Sequence, residues 1–240
     1  TISMALMAKP KVKKVVTWNP DLEAMEGPHA SLPAKQDGIW ISLCGGMDCT
    51  AVLASQLRIS PKRYISVETN DKARKVSNIA NPKTDLFCGV DHSWNSDVTQ
   101  ITESDVQALG KDCVSLITFG APCEDFSKLR LLPVRHKNDI KTNPRPGLEG
   151  PKGMVFKECI RVLKLVLKHN TGCKFLVENV DFSDMVNDWN SVCVELGKPT
   201  LIDSVDFSNT KRNRAWWTNI KLPEGFPGNP RPLEPDACMD

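Results

Sequence analysis

The chain changes character at Gly38. From there on, short apolar runs alternate with segments whose apolar residues recur every three or four positions. Ile39–Leu43 reads as a strand running into Cys44-Gly45-Gly46, followed by a helix from about Asp48 to Leu57. Tyr64–Val67 reads as a second strand ending at Glu68. A third, Val114–Phe119, ends at Gly120-Ala121-Pro122-Cys123, and a fourth, Phe175–Val177, at Glu178-Asn179. Residues 154–168 predict an amphipathic helix. Lys157, Arg161, Lys164 and Lys168 form one stripe, and Val155, Cys159, Ile160, Val162, Leu163, Val166 and Leu167 fill the rest. Strands alternating with helices predict an α/β fold with a doubly wound, mostly parallel sheet. Residues 1–37 show no sustained period. With Lys9, Lys11, Lys13 and Lys14 and four prolines they read as a linker or basic arm, or simply a solvated tail. The organised stretch is expected over 38–235, with a short tail at 236–240.

Composition narrows the picture. The 240 residues carry 31 Lys+Arg against 29 Asp+Glu, a net of +2; 40% are hydrophobic and 25% charged, the ordinary globular range. A chain of this size buries enough surface to need no disulfide or metal staple. No apolar run approaches the ~18 residues that a membrane-spanning helix needs. Thr1–Pro10 lack the charged start and apolar stretch of a secretory signal. The first residue is Thr rather than Met, which reads as a piece of a longer polypeptide. Nine cysteines without a Cys-x-x-Cys pair, and four histidines, do not make a zinc pattern, so no metal is expected. The thiols read as reduced and intracellular.

The polar residues lie where chemistry belongs in this architecture. Open α/β sheets bind ligands beyond the carboxyl ends of their strands, and Gly45-Gly46, Glu68, Cys123 and Glu178 each follow directly on an apolar run. Gly45-Gly46 suits close backbone approach by a ligand, or merely a tight turn into a helix. Glu68 sits where a carboxylate accepts ribose hydroxyls, or on a solvated loop. No phosphate loop of the Gly-x-x-x-x-Gly-Lys-Ser/Thr kind is present, which disfavours a nucleotide triphosphatase. Pro122 before Cys123 holds a thiol rigidly at this rim. Phe126 stands where a zinc deaminase would need its second cysteine. His29, His92, His136 and His169 offer no context for a protease pair. Glu178 closes an apolar strand, where desolvation would favour its protonated form.

Taken together, these segments resemble the C5-cytosine methyltransferases, most closely the eukaryotic de novo DNA methyltransferase branch. The resemblance rests on Ser-Leu-Cys-Gly-Gly-Met (42–47), Arg-Tyr-Ile-Ser-Val-Glu (63–68), Ser-Asp-Val-Thr (96–99) and Phe-Gly-Ala-Pro-Cys-Glu-Asp-Phe-Ser (119–127). It continues with Gly-Leu-Glu-Gly (147–150) leading to Gly153, Phe-Leu-Val-Glu-Asn-Val (175–180), Arg-Asn-Arg (212–214) and Trp217-Thr218-Asn219. It implies a Rossmann-like, S-adenosylmethionine-dependent methyltransferase fold. It further implies that Cys123 adds to C6 of a cytosine flipped out of duplex DNA, so that C5 takes the methyl group. Glu178 would contact N3 and the exocyclic amine, and Arg214, with Arg212 nearby, would hold O2 and the active-site loop. For the cofactor, the resemblance implies Leu43, Cys44, Gly45, Gly46 and Met47 around the methionine part and Glu68 with Thr69 at the ribose. Asp97 and Val98 would lie at the adenine, with Gly120 and Pro122 completing the wall.

Residues 128–152 would be the mobile loop that closes over the flipped base. They hold seven Lys and Arg against two acidic residues, a net of +5. Ser127, Lys128, Arg130, Arg135, Lys137, Lys141 and Arg145 are the expected DNA contacts, a solvated loop being the plainer reading. The family pattern usually places an aromatic and an acidic residue where Cys44 and Gly45 stand, and a glycine where Thr50 stands. Its target-recognition region and final motifs would follow Asp240. Two alternatives stay open: a transfer-RNA cytosine-C5 methyltransferase, and a non-catalytic homologue that stimulates an active partner. The resemblance also implies assembly through the catalytic domain as a homo- or hetero-oligomer, and action in the nucleus of a eukaryotic cell, otherwise an intracellular setting.

Overall fold

β-Branched and aromatic residues spaced at every second position build a seven-stranded sheet at the centre of the computed structural model. The structure describes residues 36–56, 59–84, 87–131, 134–136, 139–141, 144–206 and 211–221. All belong to the unit Pro33–Asp240, which is distinct from Thr1–Leu32. The expected arm and tail, and residues 222–235, lie outside the described residues. The strands are β1 (Gln36–Leu43), β2 (Pro61–Val67), β3 (Val90–Asp91), β4 (Val114–Gly120), β7 (Lys174–Val180), β8 (Thr200–Asp203) and β9 (Asn213–Thr218). A separate two-stranded hairpin is formed by β5 (Val134–His136) and β6 (Asp139–Lys141). The helices are α1 (Cys49–Gln56), α2 (Asp71–Ala80), α3 (Glu103–Ala108), α4 (Pro151–His169) and α5 (Val186–Leu196).

The sheet order is β3-β2-β1-β4-β7-β9-β8. β1 pairs in parallel with both β2 and β4, and β4 in parallel with β7, whereas β9 runs antiparallel between β7 and β8. This is a Rossmann-like, doubly wound and mostly parallel architecture. Its order reverses at β1 and β4, the point where such sheets bind ligands.

Alternation sorts the side chains into two layers. Ile41, Leu43, Ile65, Val67, Ile117, Phe119, Val177, Ala215 and Trp217 join one large core with Phe156, Cys159, Leu163 and Val166 of α4, Val106 of α3 and Trp189 of α5. Trp40, Tyr64 and Phe87 form a smaller core with Ala51 and Ala54 of α1. In the large core Phe126, Phe156, Phe182, Trp189 and Trp217 stack edge-on or tilted, with centroids 4.6–6.5 Å apart. Such pairs contribute roughly 0.5–1.5 kcal/mol each beyond their burial.

Helix ends depart from the sequence reading for local reasons. The first helix begins at Cys49, because the Asp48 carboxylate turns inward instead of capping it. The long helix starts three residues early, at Pro151, whose fixed φ and missing N–H suit a first turn. Among the described residues no helix is long and apolar enough to cross a membrane.

Candidate functional site

The turn from β1 into α1 is built around a buried carboxylate. Cys44, Gly46 and Asp48 all take left-handed φ values of 52°, 58° and 55°. The fully buried Asp48 accepts hydrogen bonds from the hydroxyls of Ser66 (2.8 Å), Ser77 (2.6 Å) and Tyr64 (3.4 Å). Burial, then the Asp48 charge, pushes the Tyr64 hydroxyl well above the usual tyrosine range. A Cβ on Gly45 would fall 2.3 Å from Asp48 Oδ1, so only glycine lets the carboxylate reach its partners. At Gly46 a Cβ would meet nothing within 4 Å, so its backbone borders open space. The Gly46 N–H donates to Glu68 Oε2 at 2.9 Å, and Asn70 N–H donates to Oε1 at 2.8 Å. The end of β2 is thereby tied to the glycine turn.

The other expected cofactor positions fall as follows. Met47 and Thr69 are exposed beside that turn. Asp97 caps a short 3-10 turn over Val98–Gln100, its Oδ1 accepting Thr99 N–H (2.9 Å) and Oγ1–H (2.8 Å). Val98 is buried and its carbonyl accepts from Arg161 Nη2 on α4 at 3.3 Å. Gly120 and the half-buried Pro122 lie at the end of β4.

Beyond β4 the chain turns sharply at Cys123, whose carbonyl accepts the N–H groups of Phe126 (3.0 Å) and Ser127 (2.9 Å). The buried Phe126 anchors this turn in the aromatic core, and the buried Asp125 fixes it to α4. Asp125 Oδ2 accepts Lys152 N–H (2.7 Å) and Gly153 N–H (3.2 Å), and the Asp125 carbonyl accepts Gly147 N–H (3.1 Å). Gly150, the residue before the helix, contributes no side chain as a cap. A Cβ there would sit 2.2 Å from Asp125 Oδ2. On Gly153 a Cβ would lie 1.9 Å from the Gly147 carbonyl oxygen. Gly150 thus admits a carboxylate from outside the helix to its first turn, and Gly153 lets the Gly147 backbone pack against that turn.

Glu178 and the arginines meet across a strand pair. In the sheet register Glu178 stands opposite Gly120 on one side and Trp216 on the other, and Arg214 opposite Val180. Arg214 Nε lies 2.6 Å from Glu178 Oε1 in an ion pair, with the two side chains 18% and 25% exposed. Arg212 Nη2 is 4.0 Å from the same oxygen and far more open to solvent. A Cβ on Gly120 would crowd Glu178 Oε2 at 3.2 Å. The half-buried Cys123 thiol lies within electrostatic reach of this pair. Burial first, then the Glu124 charge, pushes its pKa above the ordinary thiol value; Arg214 opposes and Glu178 adds to the rise.

A cleft of about 640 Å³ opens over the ends of β1, β4, β7 and β9. Its wall includes Leu43, Cys44, Gly45, Gly120, Glu178, Arg212 and Arg214 of the expected residues. Gly46, Met47, Glu68, Thr69, Asp97, Val98, Pro122 and Cys123 stand outside that lining. The sequence reading did not single out Ser42, Cys49, Thr50, Thr118, Leu176 or Trp216, which also line it. The signal was present: Ser42, Thr118, Leu176 and Trp216 each alternate with a residue of the large core.

The expected DNA-contacting loop divides. Ser127 is half-buried, its Oγ accepting Leu129 N–H at 3.3 Å. Lys128 is exposed, 3.7 Å from Asp184. Arg145 departs from the expectation of a phosphate contact. Its side chain is 7% exposed, bonded to the Phe126 carbonyl at 2.8 Å and bidentate on Asp184 at 2.6 and 3.0 Å. A guanidinium so enclosed braces the Cys123 turn from below. Asp184 is held below the usual carboxylate range by those bonds, and then by the charge of Lys128. Lys137 and the side chains of Arg130, Arg135 and Lys141 lie outside the described residues; the backbone of Arg130 is in a 3-10 turn, and those of Arg135 and Lys141 are in β5 and β6. No group of three or more His, Cys, Asp or Glu is placed to hold a metal among the described residues.

No protein-family model matches this sequence, and no curated protein matches it either. Among solved structures, the chain is similar to the Dnmt2 methyltransferase of S. pombe. The two share 18% identity and a TM-score of 0.45 over 77% of this chain and 51% of that one. It is also similar to a putative DNA modification methyltransferase encoded within a prophage of E. coli. There the identity is 16% and the TM-score 0.45, over 75% of this chain and 46% of that one. The chain spans about half the length of the solved structures it matches.

Proposed function

We propose that this chain is the catalytic part of an S-adenosylmethionine-dependent methyltransferase that modifies C5 of cytosine in DNA. One observation carries the reading: a thiol on a rigid turn beside a carboxylate–guanidinium pair, all at the rim formed by the carboxyl ends of the parallel strands and next to a ligand-sized cleft. Cys123 is the nucleophile toward C6. Its raised pKa keeps it protonated until a substrate arrives, and Arg214 is the nearby positive charge that favours the thiolate. Glu178, fixed by Arg214, faces the cytosine N3 edge as proton donor and hydrogen-bond acceptor. Arg212 and the exposed Lys128 supply positive charge at the mouth.

The β1–α1 turn and the end of β2 fit the cofactor. The Gly46 backbone borders open space, and Glu68 is held with its carboxylate at the strand end, where two ribose hydroxyls would find acceptors. When bound, S-adenosylmethionine supplies the electrophilic methyl group. Leu43, Cys44, Gly45 and Gly120 would line its methionine end, with Val98 as an apolar wall for its base. A DNA substrate puts the site of action in the nucleus of a eukaryotic cell.

The test is transfer of a labelled methyl group to unmethylated duplex DNA, with transfer RNA as a parallel substrate and Cys123→Ala as control. Label on cytosine C5 of DNA that disappears in Cys123→Ala is the expected result. Label on transfer RNA alone would reassign the substrate. Transfer that survives Cys123→Ala would overturn the nucleophile, and cofactor binding without transfer to either substrate would favour a regulatory homologue.

A further inference from the structure

The sulfur of Cys44 lies 3.7 Å from that of Cys159. The two occupy contrasting settings. Cys44 is half-buried, lines the cleft, and sits at a φ of 52° directly before Gly45 and Gly46. Cys159 is fully buried on α4, between the core residues Phe156 and Leu163. One thiol is open to small molecules that enter the cleft, and the other waits behind it.

Forming an S–S bond of about 2.05 Å would require the sulfurs to close by roughly 1.7 Å. The 19-residue helix that carries Cys159 cannot supply that movement. The turn that carries Cys44 can, because three left-handed residues and two glycines lie within positions 44–48. Asp48 anchors the far end of the turn through Ser66, Ser77 and Tyr64; at the Cys44 end the ties are Cys44 N–H to the Val67 carbonyl at 2.8 Å and Gly46 N–H to Glu68 at 2.9 Å. Pulling Cys44 toward α4 draws on both, and with them on the position of the Glu68 carboxylate.

We infer that Cys44 and Cys159 are a redox pair whose disulfide withdraws the glycine turn from the cofactor site. The inference rests on the function proposed above for its consequence, but not for its chemistry. The oxidant is a hydroperoxide. The Cys44 sulfur attacks one peroxide oxygen, the O–O bond breaks, and the alcohol or water leaves, so that Cys44 becomes a sulfenic acid. The Cys159 sulfur then attacks the Cys44 sulfur, the S–O bond breaks, and hydroxide leaves with the Cys159 proton as water. Two electrons pass from the thiol pair to the peroxide, and a dithiol reductant reverses the change.

The test is hydrogen peroxide treatment of the intact chain, trapping of free thiols with N-ethylmaleimide, and mass spectrometry of unreduced peptides. The expected product is a cross-linked pair of peptides containing Cys44 and Cys159, two hydrogens lighter than the separate peptides and cleaved by dithiothreitol. In parallel, calorimetry should show S-adenosylmethionine binding weakened at least tenfold by peroxide and restored by dithiothreitol. In Cys159→Ala the Cys44 sulfenic acid has no thiol to resolve it, so no cross-link forms and peroxide should weaken binding less than in wild type. Absence of the 44–159 cross-link, or a Cys159→Ala protein as peroxide-sensitive in binding as wild type, would overturn the inference. If the reduced protein binds no S-adenosylmethionine, the proposed function fails, while the peptide map still decides the disulfide.

Discussion

Asp125 offers a sharp test of how the nucleophile turn is held, because its side chain caps a helix that begins 26 positions later (151 − 125). Oδ2 accepts two N–H groups from the first turn of α4, at 2.7 and 3.2 Å, and the residue is 1% exposed. Gly150 cannot substitute as a cap. Losing a cap costs typically 0.5–2 kcal/mol, and a negative charge at a partly buried helix N-terminus adds up to about 2 kcal/mol. Asp125→Ala should therefore lose about 1–4 kcal/mol, and Asp125→Asn, which keeps the acceptor but not the charge, up to about 2 kcal/mol. For a domain of this size that lowers Tm by roughly 2–16 °C for the alanine variant.

The assay is guanidinium unfolding followed by the fluorescence of the buried Trp189 and Trp217. A cycle with Gly150→Ala isolates the contact itself. In the wild-type background the new Cβ would strike the carboxylate at 2.2 Å, but in Asp125→Ala the carboxylate is gone, while Pro146 stays at 2.5 Å. The second substitution should cost about 1–2 kcal/mol less when the first is present. An Asp125→Ala loss below about 0.5 kcal/mol, the level of an ordinary surface change, would refute the reasoning. So would strictly additive effects in the cycle.

Other outcomes follow from the same geometry. The Cys123 pKa is raised by burial and by Glu124, lowered by Arg214 and raised by Glu178. Alkylation at pH 7.5, near a working pH of about 7 to 8, should thus run fastest in Glu178→Gln, slower in wild type and slowest in Arg214→Ala, read by iodoacetamide labelling of residue 123; the reverse order would contradict the charge assignment. Asp184 has a lowered pKa, so its pair with Arg145 contributes fully above the unfolded carboxylate value of about 3.9 and is lost as pH falls through the folded one. The stability gap between wild type and Asp184→Asn should be constant from neutrality to about pH 5 and shrink in acid; a gap unchanged in strong acid would count against the pair. Gly153→Ala should unfold the N-terminal turn of α4, because its Cβ meets backbone rather than a movable side chain; a Tm within a degree or two of wild type would show that the turn relaxes freely.

Much of the sheet was legible because its strands announce themselves. Ile39–Leu43, Val114–Phe119 and Phe175–Val177 are buried on both faces or nearly so, and such strands read as continuous apolar runs. β8 and β9 escaped notice because their alternation mixes cleft-lining polar residues with core residues: Arg214 and Trp216 face the cleft while Ala215 and Trp217 enter the core. α2 was hidden for another reason: it is short, and it buries only Ser77 while Val76 and Ile79 face solvent. The strand-end residues were found by position. What they touch was not legible, because Arg145 and Asp184 pair over 39 positions and Asp125 reaches α4 from the preceding loop. A count of charges across 128–152 weighs each cation alike. Burial separates Arg145, which holds the turn, from Lys128, which faces solvent.

The same residues explain why a reactive thiol can sit here on a turn rather than on a strand. In the proposed mechanism Cys123 needs freedom to approach a substrate atom, yet its position must be reproducible to a fraction of an ångström for that reaction to profit. The fold meets both demands by fixing everything around the thiol instead of the thiol itself. Phe126 is stacked 4.6 Å from Phe182 in the aromatic core, Asp125 is bonded to α4, and Arg145 grips the Phe126 carbonyl. Across the rim, Glu178 is locked by Arg214 through the one antiparallel pairing that the parallel half of the sheet accepts, β9 against β7. That reversed strand is what carries two arginines back to the carboxyl ends of parallel strands. A parallel β9 would begin at the opposite edge and deliver Asn213 and Arg214 far from Glu178. The direction of a single strand therefore decides whether the thiol meets a carboxylate alone, whose charge would suppress its ionisation, or a carboxylate already balanced by a guanidinium.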